Sequence, residues 1–390
     1  MTTSRHVPRP ALPRKREGVG RGLRRTASAT AVLAMAAAAM GATAAGAEII
    51  KKEDMLRGIT TTRDRCAATP QTLWLNVDKQ DFCVRYYLST AGGEGTRPVV
   101  FLQGDHFGTV DTKTWQSPNP QWTPTSKDKN ANVTFDPTVT NVDIDTDDLM
   151  KMADAFSKMA KTTAIYLARI GVGGTSGNHI FRKTLLELHL MNAALDALKQ
   201  RHGFEGFHLA GQSGGSTLVA GLTATRRDIA CAVSGSGRLG KSYDISSKDP
   251  ARTWVNPLEL VPSIVQNQSV RFFMVTDSAD RTVPAKQQTP FAEKMHRAGR
   301  DIPQYFVAAT DDYHHGVVSY AQLVAGGCVL GKSDADIATA VGTMVKRNAT
   351  FNAQRRKEIA LFTKNGAASP PPSAEPRAAP SGARTGGKRA

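Results

Sequence analysis

Between residues 72 and 361, short apolar runs alternate with stretches whose apolar positions recur every three or four residues. Segments 72–77 (TLWLNV) and 82–89 (FCVRYYLS) alternate apolar and polar residues on either side of Asp78-Lys79-Gln80-Asp81, which predicts an antiparallel hairpin. Continuous apolar runs follow at 98–102, 163–167, 206–210, 229–233, 270–275 and 304–308. Runs of this kind predict strands buried on both faces. Helical patterns fill the intervals at 148–160, 183–202, 214–226, 285–299 and 335–361. The alternation predicts an α/β fold, a mostly parallel central sheet flanked by helices, in one domain spanning 48–363. Two stretches break the rhythm. Residues 105–147 are polar and carry Trp115 and Trp122, and residues 236–266 carry Trp254 and show no clear period. Interruptions of that length predict insertions that form a cap.

The two ends differ from this middle. Residues 1–47 run from a basic stretch (Arg14 to Arg25) through a small apolar run (Ala29 to Ala45) to Ala45-Gly46-Ala47. That is the layout of a cleavable export signal with Glu48 as the first mature residue, in preference to an uncut anchor. Arg24-Arg25 is followed by Thr26-Ala27-Ser28, a poor match to a twin-arginine signal. Residues 364–390 are rich in Pro, Ala, Gly and Ser, without branched apolar or aromatic residues, and read as a disordered tail. The formal charge of +16 looks at first like a nucleic-acid signal. Residues 48–363, however, hold 37 basic against 32 acidic residues, so the excess is mostly terminal and no nucleic-acid partner is expected. No further segment has the length of a membrane span. The mature chain is therefore expected to be periplasmic or extracellular. Four cysteines in an exported chain permit three disulfide pairings. Cys66 and Cys83, on either side of TLWLNV, are the favoured pair, which leaves Cys231 with Cys328.

The strongest chemical signal is Gly211-Gln212-Ser213-Gly214-Gly215, directly after the run 206–210 and before an apolar helical pattern. A strand turning sharply into a helix presents the central serine at the top of the sheet, and the glycines make room for the turn. Ser213 is the candidate nucleophile and the Gly214 amide a candidate oxyanion donor. Serine needs a base and an acid to orient that base. After the run 270–275 comes Thr276-Asp277-Ser278-Ala279-Asp280-Arg281-Thr282-Val283-Pro284, with Asp280 as the candidate acid and Asp277 as the alternative. After 304–308 comes Asp311-Asp312-Tyr313-His314-His315-Gly316, with His315 as the candidate base and His314 as the alternative. The loop after 98–102, Gln103-Gly104-Asp105-His106, offers the Asp105 amide as the second oxyanion donor.

With these motifs in this order, the sequence resembles the α/β-hydrolase superfamily over about residues 70–330. Its Asp and His loops are most similar to those of the esterase, dienelactone-hydrolase and prolyl-oligopeptidase-like branches. The resemblance implies a Ser-His-Asp mechanism on an eight-stranded, mostly parallel sheet with a cap, and no cofactor. The chain departs from the common pattern in having Gln103 where a histidine is usual, and in lacking a Gly-Gly run there. Residues 169–182 (RIGVGGTSGNHIFR) are Gly-rich but lack phosphate-loop spacing. Arg169 and His179 within them are candidates for binding an acidic group, against a purely structural role. The run Asp143-x-Asp145-x-Asp147-Asp148 lacks the glycine and distal Glu of a calcium loop and reads as a helix start, so no metal is expected. The expected reaction is hydrolysis of a small-molecule carboxylic ester. A peptidase, an acyltransferase and a non-catalytic binding protein on the same fold are the alternatives.

Overall fold

In chain order the elements of the computed structural model are β1 (Ile49–Ile50), α1 (Lys52–Arg57), α2 (Arg63–Ala68), β2 (Thr72–Val77), β3 (Gln80–Ser89), β4 (Val99–Leu102) and β5 (Ile144–Asp145). They continue with α3 (Thr146–Ala160), β6 (Ala164–Leu167), α4 (Leu185–His202), β7 (Phe207–Gln212), α5 (Gly214–Thr225) and β8 (Ile229–Gly235). The last are α6 (Pro257–Gln266), β9 (Arg271–Asp277), α7 (Thr289–Arg297), β10 (Gln304–Val307), α8 (Val318–Val329) and α9 (Asp334–Lys364). The structure describes residues 48–105, 143–240, 249–311 and 313–364. The predicted signal, most of the 105–147 insertion with both its tryptophans, residues 241–248 of the second insertion, and the tail from 365 lie outside the described residues.

Eight strands form one sheet in the order β10-β9-β8-β7-β4-β6-β3-β2. The strands from β10 through β6 run parallel, and β3 and β2 add an antiparallel edge. The hairpin between β2 and β3 is tighter than the pattern predicts. Val77 pairs with Gln80, which leaves only Asp78 and Lys79 in the turn, at φ of 48° and 63°. Two consecutive positive φ values match the twist of the flanking strands.

Burial explains the strand composition. Val99, Val100, Phe101 and Leu102 of β4 are wholly buried because helices cover both faces of the sheet. One apolar layer joins the sheet to α4, α5, α6 and α7, and the other joins it to α3, α8 and α9. Asp145 caps α3 by accepting from the Asp147 amide, so the acidic run starts a helix as expected. Thr184 caps α4 by accepting from the Glu187 amide.

Two readings of the pattern need correction. Part of the 236–266 insertion is helix α6, whose Val261 and Ile264 are buried against the sheet layer. Pro257 at its first turn and Pro262 inside it hide the helical period. Helix α8 was not anticipated. Tyr320, Ala321, Val324 and Ala325 are buried with Gly326 and Gly327, and Ser319 and Gln322 on the outer side are too short a polar stripe to mark a helical period. Both expected disulfides are present. Cys66–Cys83 joins α2 to β3, and Cys231–Cys328 joins β8 to α8.

Candidate active site

The chain moves from β4 to β6 on one side and then to β7 on the other, so the sheet has a topological switch point at β4. Ligand sites in open α/β sheets lie there, outside the carboxyl ends of the strands. The loops after β4, β6, β7, β9 and β10 all leave the sheet at that edge, and they carry every candidate residue.

Ser213 sits between β7 and α5 at φ 52° and ψ −118°, a strained conformation for a residue with a side chain. Its amide donates to the Gly235 carbonyl (2.8 Å), which pins the turn to β8. Gly215 is required by close approach, because a Cβ there would collide with the Leu102 carbonyl. Gly104 brings the loop after β4 against Ser213. A Cβ on it would stand 3.1 Å from the Ser213 Cβ.

The acids and histidines form two parallel pairs. His315 Nδ1 lies 3.1 and 2.9 Å from the two oxygens of Asp280, and His314 Nδ1 lies 3.1 Å from Asp277 Oδ2. Asp280 Oδ1 also accepts the amides of Thr282 (2.9 Å) and Val283 (2.8 Å), and its side chain is wholly buried. Asp277 likewise accepts two amides besides its histidine, those of Ala279 (2.8 Å) and Ala309 (2.7 Å). Among the described residues the His315 pair is the one tied to the turn at Ser213: Gln212 Nε2 donates to the His315 carbonyl at 2.6 Å. His314 adopts φ 57°, a left-handed conformation uncommon for a residue with a side chain.

Beside the turn at Ser213 lies a buried ion cluster. Arg169, only 1% exposed, donates through Nε (3.0 Å) and Nη2 (2.7 Å) to Glu187, and through Nη1 to Asp105 (2.8 Å) and the Gln103 carbonyl (3.1 Å). Lys183 Nζ donates to Asp105 Oδ2, and Arg182 Nη1 stands 3.6 Å from Asp105 Oδ1. Asp105 Oδ1 in turn packs against the Gly214 backbone, where any Cβ would strike it. Burial opposes the charge on Asp105, but Arg182, Lys183 and Arg169 outweigh it and hold the carboxyl well below its usual range. Burial pushes the Lys183 ammonium down to about 8, against the pull of Asp105.

Arg169 thus gives four of its five N–H donors to protein partners, and His179, buried with Nδ1 3.2 Å from the Met55 carbonyl, is pushed down to about 3 by burial and Arg182. Of the two expectations for the Gly-rich segment, the structural one holds. His106 and Asp312 lie outside the described residues. Sequence reasoning missed Gln212, which occupied a variable motif position. It also missed Glu187 and Lys183, where a charge inside a helical pattern reads as solvent-facing.

Compared by sequence, the chain matches no protein-family profile and no curated protein. Its structure is similar to that of the esterase Est1E of Butyrivibrio proteoclasticus with ferulic acid bound (12% identity, TM-score 0.43, covering 67% of this chain and 98% of that one). It is also similar to the Pyrococcus furiosus esterase Pf2001 (11%, 0.45, 70% and 95%) and to a puromycin-hydrolyzing peptidase of Mycobacterium tuberculosis (13%, 0.41, 67% and 40%). At these identities and scores the fold rests on the chain's own strand order and on the turn at Ser213. By those two features the chain has the α/β-hydrolase fold.

Proposed function

We propose that the protein is an exported serine hydrolase that cleaves carboxylic esters through an acyl-enzyme. The observation that carries this reading is the bidentate Asp280–His315 pair, tied through Gln212 to a serine held at positive φ. His315 takes the Ser213 proton as the hydroxyl attacks the ester carbonyl, then returns it to the leaving alcohol. Asp280 keeps the His315 proton on Nδ1 and stabilises the imidazolium that forms. The amides of Gly214 and Asp105 are the oxyanion donors, each contributing about 3 kcal/mol to the transition state. Water then attacks the acyl-enzyme with His315 again as base. The chemistry draws on protein groups alone.

Two disulfides support export, and among the described residues no helix is long and apolar enough to cross a membrane. The test is labelling with a fluorophosphonate, with the adduct mapped by mass spectrometry. Labelling at Ser213 that vanishes in Ser213→Ala, followed by turnover of esters and not of peptide amides, is the expected result. A folded protein that stays unlabelled overturns the reading.

A further inference from the structure

Lys183 is an expensive residue in its place. It is nine-tenths buried, its backbone is held at φ 65°, and its amide is locked onto the Glu187 carboxylate. Its carbonyl accepts from the Val255 amide (2.8 Å), and its ammonium stands 5.1 Å from the centre of the Trp254 ring. Buried lysines and strained non-glycine residues are both costly, and proteins concentrate them where a site uses them.

The charges facing its ammonium are unequal. Asp105 is its described carboxylate partner, and that carboxylate is shared with Arg169 and Arg182. Arg182 and Arg238 both act on Lys183 as like charges. The Arg238 amide donates to the Ser213 carbonyl (3.3 Å), which places the Arg238 backbone beside Ser213. One carboxylate, Asp105, separates the Lys183 ammonium from Gly214.

Resting on the hydrolase reading of Ser213, we propose that the substrate is an ester bearing an anionic group, a carboxylate or a phosphate, close to the scissile carbonyl, and that Lys183 is the specificity residue that reads it. An anion seated here gains a charge-assisted hydrogen bond in a site shielded from water. A neutral ester leaves the desolvated ammonium with Asp105 as its described carboxylate partner, shared with two arginines.

The experiment compares mono-4-nitrophenyl glutarate with 4-nitrophenyl pentanoate on the full mature chain, alongside free glutarate and inorganic phosphate as competitors of fluorophosphonate labelling. The expected result is a kcat/KM at least about tenfold higher for the anionic ester. That ratio falls towards one in Lys183→Met and is largely kept in Lys183→Arg. The competitor that slows labelling more identifies carboxylate or phosphate as the group. Equal or reversed preference in the wild type overturns the proposal, as does a Lys183→Met variant that slows both esters alike. Should Lys183→Met fail to fold, the wild-type ratio and the competition decide by themselves. Labelling at Ser213 without anion preference refutes only this inference, whereas no labelling and no turnover of either ester refutes the hydrolase reading beneath it.

Discussion

Asp280 grips His315 Nδ1 with both carboxylate oxygens, at 3.1 and 2.9 Å, while three positions earlier Asp277 holds His314 with one oxygen at 3.1 Å. Two adjacent histidines thus have two separate acids, and the pairs run side by side without crossing. What separates them is the rest of each carboxylate's work. Asp277 fastens the chain after β10 through the Ala309 amide, and Asp280 braces its own loop through Thr282 and Val283.

This division predicts unequal consequences. His315→Ala and Asp280→Asn are expected to lower kcat on the order of 10³- to 10⁴-fold with KM little changed, because the imidazole is lost or takes the wrong tautomer. His314→Ala is expected to cost less than about tenfold. Steady-state ester hydrolysis with matched circular dichroism spectra checks it. A kcat collapse in His314→Ala alone would reassign the base.

The strained elbow predicts that activity and stability part company at Ser213. Ser213→Gly relieves a positive φ costing about 1–3 kcal/mol, offset by the extra chain entropy of glycine, about 0.5–1 kcal/mol. Ser213→Ala keeps the strain. Both variants lose activity, and the glycine variant is expected to unfold about 1 kcal/mol later than the alanine one in urea titrations.

Selectivity is expected to depend on pH through Lys183. Its ammonium, facing Asp105, Arg182, Arg238 and the Trp254 ring, loses its proton as pH rises through about 8. The charge that recognises an anion is present below that pH and absent above it. The kcat/KM ratio of anionic to neutral ester therefore falls between about pH 7 and 9.5. Taking a ratio cancels any titration of the catalytic pair common to both substrates. A flat ratio in the wild type contradicts the assignment of Lys183.

The disulfides differ in the length of chain they close, 17 against 97 residues. On the loop-entropy estimate these correspond to about 3 and about 4.7 kcal/mol. Cys231→Ser with Cys328→Ser is expected to lower the urea midpoint more than Cys66→Ser with Cys83→Ser. It is also expected to reduce ester turnover more, because α8 begins three residues after His315.

Much of this was legible in the sequence because periodicity and turn chemistry are local. Continuous apolar runs located β4, β6, β7, β8, β9 and β10 to within two residues at either end, and Gly211-x-Ser213-x-Gly215 between a strand and a helix announced the elbow. The rest depends on tertiary surroundings. Helix α8 shows only Ser319 and Gln322 on its outer side, too short a polar stripe to mark a helix. Glu187 and Lys183 look like surface charges until the fold brings Arg169 and Asp105 onto them. Which histidine meets which aspartate is decided by how two loops close, as at Gln212 and the His315 carbonyl, and no spacing encodes that.

Gln212 and His315 meet across 103 positions of chain, and His315 reaches back 35 to Asp280. Ser213 leaves the ribosome first, Asp280 next and His315 last, after β10. A chain still being made, or threaded unfolded through a translocation channel, carries a hydroxyl with nothing to activate it. On the proposed hydrolase reading, completion of the sheet is what assembles the active constellation, so activity would begin where the chain folds.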